Sequence, residues 1–81
     1  GATTLKSNTM AVAEFENYFN IEGENIINVE IYNAVGQVVD IINVNGNNAQ
    51  INTENYNNGI YFVRVLTSDA EVTVKKVVVS K

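Results

Sequence analysis

Asn57-Asn58-Gly59 leads without a break into Ile60-Tyr61-Phe62-Val63-Arg64-Val65, a run of bulky, β-favouring residues with a single charge. A turn signal followed by such a run constrains the fold more than any other stretch, because it reads as a strand and as nothing else. Side chains alternate along a strand. Tyr61, Val63 and Val65 therefore share one face, and Ile60, Phe62, Arg64 and Leu66 share the other. A chain of 81 residues can build only a thin core, so one of these faces fills it. The other, with Ile60, Phe62 and Leu66, is expected to stand out as an apolar patch, the usual mark of an interaction site.

From Met10 onward the rest of the chain follows the same rule. Short β-rich runs separated by Asn and Gly give about seven strands. They are Met10 to Phe15, Tyr18 to Glu22, Ile27 to Asn33, Gln37 to Val44, Ala49 to Asn52, Gly59 to Thr67 and Glu71 to Ser80. Val29 and Ile31 alternate with Asn28, Glu30 and Tyr32, one face dry and one wet, and Val72 and Val74 alternate with Glu71, Thr73 and Lys75 in the same way. After Lys76 the alternation breaks into three valines, which predicts a bulge or burial on both faces.

Asn45-Gly46 predicts a hairpin turn, Gly36 a left-handed position after the third run, and Ser68-Asp69 the link between the last two strands. Helix is poorly supported: Glu22 to Ile27 is the only candidate first turn, and Gly23 interrupts it. The pattern implies an all-β, immunoglobulin-like β-sandwich of about seven antiparallel strands over residues 10–81. Residues 1–9 read as a flexible linker or an expression scar. Asn57, Gly59 and Tyr61 have the form of a tyrosine corner, in which the phenol bonds back to the backbone while the ring packs between sheets. The Cys–Trp–Cys signature of true immunoglobulin domains is missing, so the likeness is architectural.

Composition narrows the chemistry. Hydrophobic residues at 46% with charged residues at 17% argue against disorder. A net charge of −4 disfavours nucleic acid and anionic membrane surfaces. No apolar run approaches the length of a spanning helix, and the N-terminus lacks the pattern of a signal peptide. If the protein is exported, its address lies in a longer precursor or within this domain. Without cysteine no disulfide staples the fold, and without histidine the commonest general base and transition-metal ligand are missing.

Ser7, Ser68 and Ser80 have no base to activate them. Glu14/Glu16 and Glu22/Glu24 read as solvated edge charges rather than a catalytic pair. The Asn45 to Asn48 loop lacks the carboxylates of a calcium site. No catalytic residue, cofactor or metal is expected. Tyr56 is either a platform for a sugar or a plug closing the end of the sandwich. Lys75 and Lys76 protect a strand edge, orient a partner, or do both.

Three motifs then stand in order: VEIYNAVGQVV (Val29 to Val39), NNGIYFVRV (Asn57 to Val65) and VTVKKVVVSK (Val72 to Lys81). From about Phe19 to the last residue the chain resembles the type A C-terminal sorting domain of the type IX secretion system of Bacteroidetes. The resemblance implies a seven-stranded immunoglobulin-like domain carried after a cargo, acting as a secretion and sorting signal. It further implies passage from the periplasm through the outer-membrane translocon to the cell surface or medium, with translocon, shuttle and sortase proteins as partners. In many members the sortase removes the domain and joins the cargo to anionic lipopolysaccharide.

The family's recurring positions fall on Gly36, Gly59, Tyr61, Lys75, Lys76 and Lys81. With Phe62 and Leu66 as contact area they make the candidate recognition set. The Pro-Asn-Pro that often opens such domains is absent, and Asn8-Thr9-Met10 stands near its place. The alternative is an immunoglobulin-like adhesion or carbohydrate-binding module. Exposed edges also leave room for a strand-mediated homodimer.

Overall fold

A computed structural model describes residues 10–81. The expected linker, with Ser7 and Asn8-Thr9, lies outside the described residues. Five antiparallel strands follow: β1 (Ala11–Glu14), β2 (Tyr18–Asn33), β3 (Val38–Asn52), β4 (Gly59–Thr67) and β5 (Val72–Val79). β2 is central. β3 pairs along one of its sides, β1 and β4 divide the other between them, and β5 pairs with β4. The all-β antiparallel reading holds, and the count of seven separate strands does not. Tyr18–Glu22 and Ile27–Asn33 are halves of β2, and the runs beginning at Gln37 and Ala49 join as β3.

Asn45-Gly46 is accordingly not a hairpin turn. Asn45 does take a left-handed backbone, with φ of 53°, but it sits in a bulge inside β3. The reason lies in the opposing strand. β2 carries its own irregularity between Glu22 and Ile26, where Asn25 is left-handed at φ 54°, so both strands bend together and stay paired. Asn47 fastens the bend by accepting the Asn25 amide on its side-chain oxygen at 2.9 Å, and the Asn25 carbonyl accepts from the Ser68 amide.

The bend is nearly a full reversal. A straight strand would hold Tyr18 and Asn33 about 50 Å apart. Yet Glu14, opposite Phe19, accepts a hydrogen bond at 2.8 Å from the amide of Val78, and Val78 faces Ile60 beside the Tyr61–Asn33 pair. The two ends of β2 therefore lie at one end of the molecule, and the folded sheet closes on a single core. Phe19 and Ile21 come to it from the first half of β2, and Ile26, Val29 and Ile31 from the second. Ala49 and Ile51, Tyr61, Val63 and Val65, and Val77 and Val79 complete it from β3, β4 and β5.

Two hairpins share one design. Asn33 and Gln37 close a loop over residues 34–36, and Thr67 and Glu71 close another over residues 68–70. The third loop residue is left-handed in both: Gly36 at φ 90°, as the sequence predicts, and Ala70 at φ 66°. That conformation costs a residue with a Cβ about 1–2 kcal/mol. Ala70→Gly is expected to raise stability by about 0.5–1 kcal/mol, after allowing for glycine's freer unfolded chain. Gly36→Ala, with open space around the added carbon, is expected to lower it by about 1 kcal/mol. Urea midpoints of the two variants should move in opposite directions.

β4 divides between its faces as its alternation predicts, with Tyr61, Val63 and Val65 buried. β5 does not. Its register to β4 is continuous from Val79 opposite Gly59 to Val72 opposite Leu66, so the three valines form no bulge. Val77 and Val79 are buried while Val78 is 46% exposed. The same parity turns Val72 and Val74 outward, leaving Thr73 and Lys75 on the core side, the reverse of the dry-and-wet reading. Closure of the hairpin at Thr67 and Glu71 forces this, since it sets Thr73 opposite buried Val65.

Candidate recognition face

The outward side of β4 carries Ile60, Phe62, Arg64 and Leu66, and the pairing sets each beside an outward residue of β5: Val78, Lys76, Val74 and Val72 in turn. On the other flank Tyr32, Glu30 and Asn28 of β2 lie opposite Phe62, Arg64 and Leu66. Phe62 and Leu66 are half-buried, whereas Ile60, Val72, Val74 and Val78 are exposed. Ile41 of β3, opposite Glu30 and also exposed, extends the surface. The face is thus apolar along β4 and β5, with Arg64 and Lys76 set into it, while β2 contributes the polar Asn28, Glu30 and Tyr32.

One polar cluster pins its centre. The Glu30 carboxylate accepts from the Tyr32 hydroxyl at 2.7 Å and from the Arg64 guanidinium at 3.0 Å, all through Oε1. The Tyr32 hydrogen bond, opposed by partial desolvation and helped by Arg64, holds the Glu30 carboxyl below its ordinary range. The same bond raises the Tyr32 phenol. A carboxyl lowered on folding stabilises above its unfolded value and loses that contribution as the pH falls through its folded one. Stability is therefore expected to drop as acid is added below about pH 4.5, and Glu30→Gln should flatten that limb of a denaturation-versus-pH curve.

The candidate residues separate into distinct places. Phe62, Leu66 and Lys76 share the outward face. Lys75 leaves the opposite side of β5, still exposed, so the two lysines do not act on one surface. Neither makes a hydrogen bond or ion pair among the described residues. Gly36 sits in the β2–β3 hairpin, and Gly59, at φ 150°, opens β4. Tyr61 is buried, and its hydroxyl donates to the Asn57 carbonyl at 2.8 Å, the bond of a tyrosine corner. The Lys81 ammonium donates to the carbonyls of Glu54 and Tyr56, and its amide to the Asn58 side chain, which ties the chain end to the loop before β4.

Tyr56 is the plug of the two alternatives. It packs against the core with its ring centroid 5.1 Å from that of Tyr61, and its hydroxyl is buried without a hydrogen bond, near the Asp40 carboxylate. Burial first, and Asp40 second, push its phenol up to about 12. A raised acid stabilises below its unfolded value and loses this as the pH rises. Tyr56→Phe should accordingly weaken the alkaline destabilisation of the wild type between about pH 10 and 12.

The remaining polar candidates fall into structural positions. Glu14 caps the β5 edge at Val78, Glu22 and Glu24 flank the bend of β2, Ser68 lies in the last hairpin, and Asn45 to Asn48 run within β3. Among the described residues no three His, Cys, Asp or Glu side chains gather as metal ligands would, and no helix is long and apolar enough to cross a membrane. Sequence reasoning missed Val72, Val74 and Val78 as outward residues and the Glu30–Tyr32–Arg64 cluster.

These features define a class: a small antiparallel β domain whose distinctive surface is a strand face and edge rather than a cleft. A model of the secretion system C-terminal sorting domain matches residues 15–80, and the chain belongs to that family, the C-terminal sorting domains of type IX secretion. Membership implies a cargo on its N-terminal side, interaction with the secretion system, and export toward the cell surface or extracellular space. No curated protein matches the chain.

Proposed function

We propose that this domain is a sorting signal and not an enzyme, read by the type IX machinery through the outward face of β4 and β5. The observation that carries the reading is the parity of β5, which exposes Val72, Val74 and Val78 beside Phe62 and Leu66. A free domain gains only strand preference from three outward valines on its last strand, whereas a receptor gains apolar contact area, and Lys76 among them supplies register. In this reading the folded-back sheet serves as an immunoglobulin-like sandwich, with β2 and β3 each contributing to both layers. The domain passes through the periplasm and the outer-membrane translocon of a Bacteroidetes cell. A surface sortase then removes it.

The test is fusion of residues 1–81 behind a periplasmic reporter in a type IX-competent cell. The reporter is expected at the surface or in the medium, and intracellular retention of a folded fusion would sink the proposal. Recovery of reporter lacking the domain supports sortase removal, and recovery of the intact fusion counts against that step alone.

A further inference from the structure

Among the described residues the edge of β5 away from β4 is open from Val72 to Lys76, and it is self-complementary. We infer that two copies of this chain pair β5 to β5, antiparallel, about a two-fold axis at Thr73. The pairing follows from which groups the edge leaves free. The Val78 amide points away from β4, toward Glu14, and Thr67 and Glu71 bond to each other at the hairpin. Alternate residues of a strand share a direction. The amides and carbonyls of Val72, Val74 and Lys76 therefore also face the open edge, while those of Thr73, Lys75 and Val77 are spent on β4. Glu14 closes this edge beyond Lys76.

An added antiparallel strand must match outward-facing groups with outward-facing groups. A two-fold at Thr73 does so: Val72 of one copy exchanges two hydrogen bonds with Val74 of the other, and the reverse, and each Thr73 faces its counterpart. The same register sets Glu71 opposite the second copy's Lys75, twice, on the core side of the sheet. Opposite charges directly across a ladder stabilise it, and neither side chain has a partner within its own chain among the described residues. On the outward side the exposed valines of the two copies meet, so the apolar face runs unbroken through both domains.

Neighbouring registers lack this match. A two-fold at Val74 sets Lys75 opposite Thr73 and Glu71 opposite Val77, and one at Lys75 opposes the two lysines. A strand edge lined with lysine is ordinarily a guard against pairing. Here the guard is cancelled by an acid four residues away on the same side. The contact is small, so the dimer is a weak one, with a dissociation constant on the order of 0.1 mM.

Analytical ultracentrifugation of the 81-residue chain tests this. Self-association is expected to weaken at least tenfold in Lys75→Glu and in Glu71→Lys, each of which sets like charges face to face. Mixing the two variants restores both ion pairs, so the mixture should associate at least as tightly as the wild type. The proposal is overturned if the chain stays monomeric at concentrations near 1 mM, if either variant associates like the wild type, or if the mixture stays monomeric. Thr73→Cys places the only two thiols across the axis, and mild oxidation should link them. Efficient linking of Val74→Cys instead would overturn the register. Dimers that form without linking Thr73→Cys would point to exchanged strands, and would overturn edge pairing itself.

Discussion

Tyr61→Ala is expected to remove a large part of the stability of the domain. The side chain is 7% exposed and lies between the Tyr56 ring and the core, and truncating a large buried aromatic costs about 3–5 kcal/mol. A domain of 81 residues has roughly 4–12 kcal/mol in total, so the loss takes about a quarter or more even of the highest value, and most or all of the lowest. Tyr61→Phe separates packing from the corner bond. It keeps the ring and removes only the donation to the Asn57 carbonyl, and is expected to cost about 1 kcal/mol. Urea denaturation followed by tyrosine fluorescence and far-UV circular dichroism gives both values. A Tyr61→Phe midpoint equal to that of the wild type would mean that the corner bond contributes nothing. Because Lys81 is tied to the Tyr56 carbonyl and Asn58, Tyr61→Ala should also loosen the chain end, visible as faster amide exchange at Lys81.

The parts of this fold that were legible in the sequence are those with a local cause. β4 was read to its end residues, Gly59 and Thr67, because a turn signal and a period-two pattern coincide there. Gly36 was legible for the same reason, since only the local backbone sets the need for a left-handed residue. The bend was not. Asn45-Gly46 has the same local preference in a bulge as in a hairpin, and the choice is made by β2, whose Asn25 bends at the matching place. The faces of β5 were misread because its apolar residues satisfy either parity. Counting from the Thr67–Glu71 closure fixes the parity, and both residues are legible as strand ends. Ser68-Asp69 alone does not show that Thr67 and Glu71 pair, because the left-handed residue that completes the turn is Ala70. Ala70 carries no turn signal at all. The Glu30–Arg64 pair joins residues distant in sequence, and no periodicity connects them.

That misreading bears on function. With Val72 and Val74 buried, the domain would present only Ile60, Phe62 and Leu66, a narrow stripe along one strand. With them outward, the stripe becomes a patch over two adjacent strands, and the two lysines acquire different surroundings. Lys76 stands opposite Phe62 within the patch, whereas Lys75 stands opposite Val63 on the far side. Recognition of the outward face and protection or pairing of the edge are therefore separable by single substitutions.

The export assay should make that separation. Lys76→Glu puts a negative charge among Phe62, Val74 and Val78, and is expected to cut surface delivery of a reporter at least tenfold, as loss of a central contact does. Lys75→Gln, on the other side of the strand, is expected to leave delivery within twofold of the wild type. Replacing Phe62, Leu66 and Val74 together by threonine removes the apolar area but keeps strand preference. It should abolish delivery while the purified variant keeps the wild-type far-UV spectrum and a cooperative urea transition. These positions are outside the core, so a folding defect is not the expected cause. Equal losses for Lys75→Gln and Lys76→Glu would show that the machinery reads the strand edge, and would refute the outward face as the signal. Full delivery of the threonine variant would refute it more directly, since Phe62, Leu66 and Val74 of the outward face would then all be dispensable.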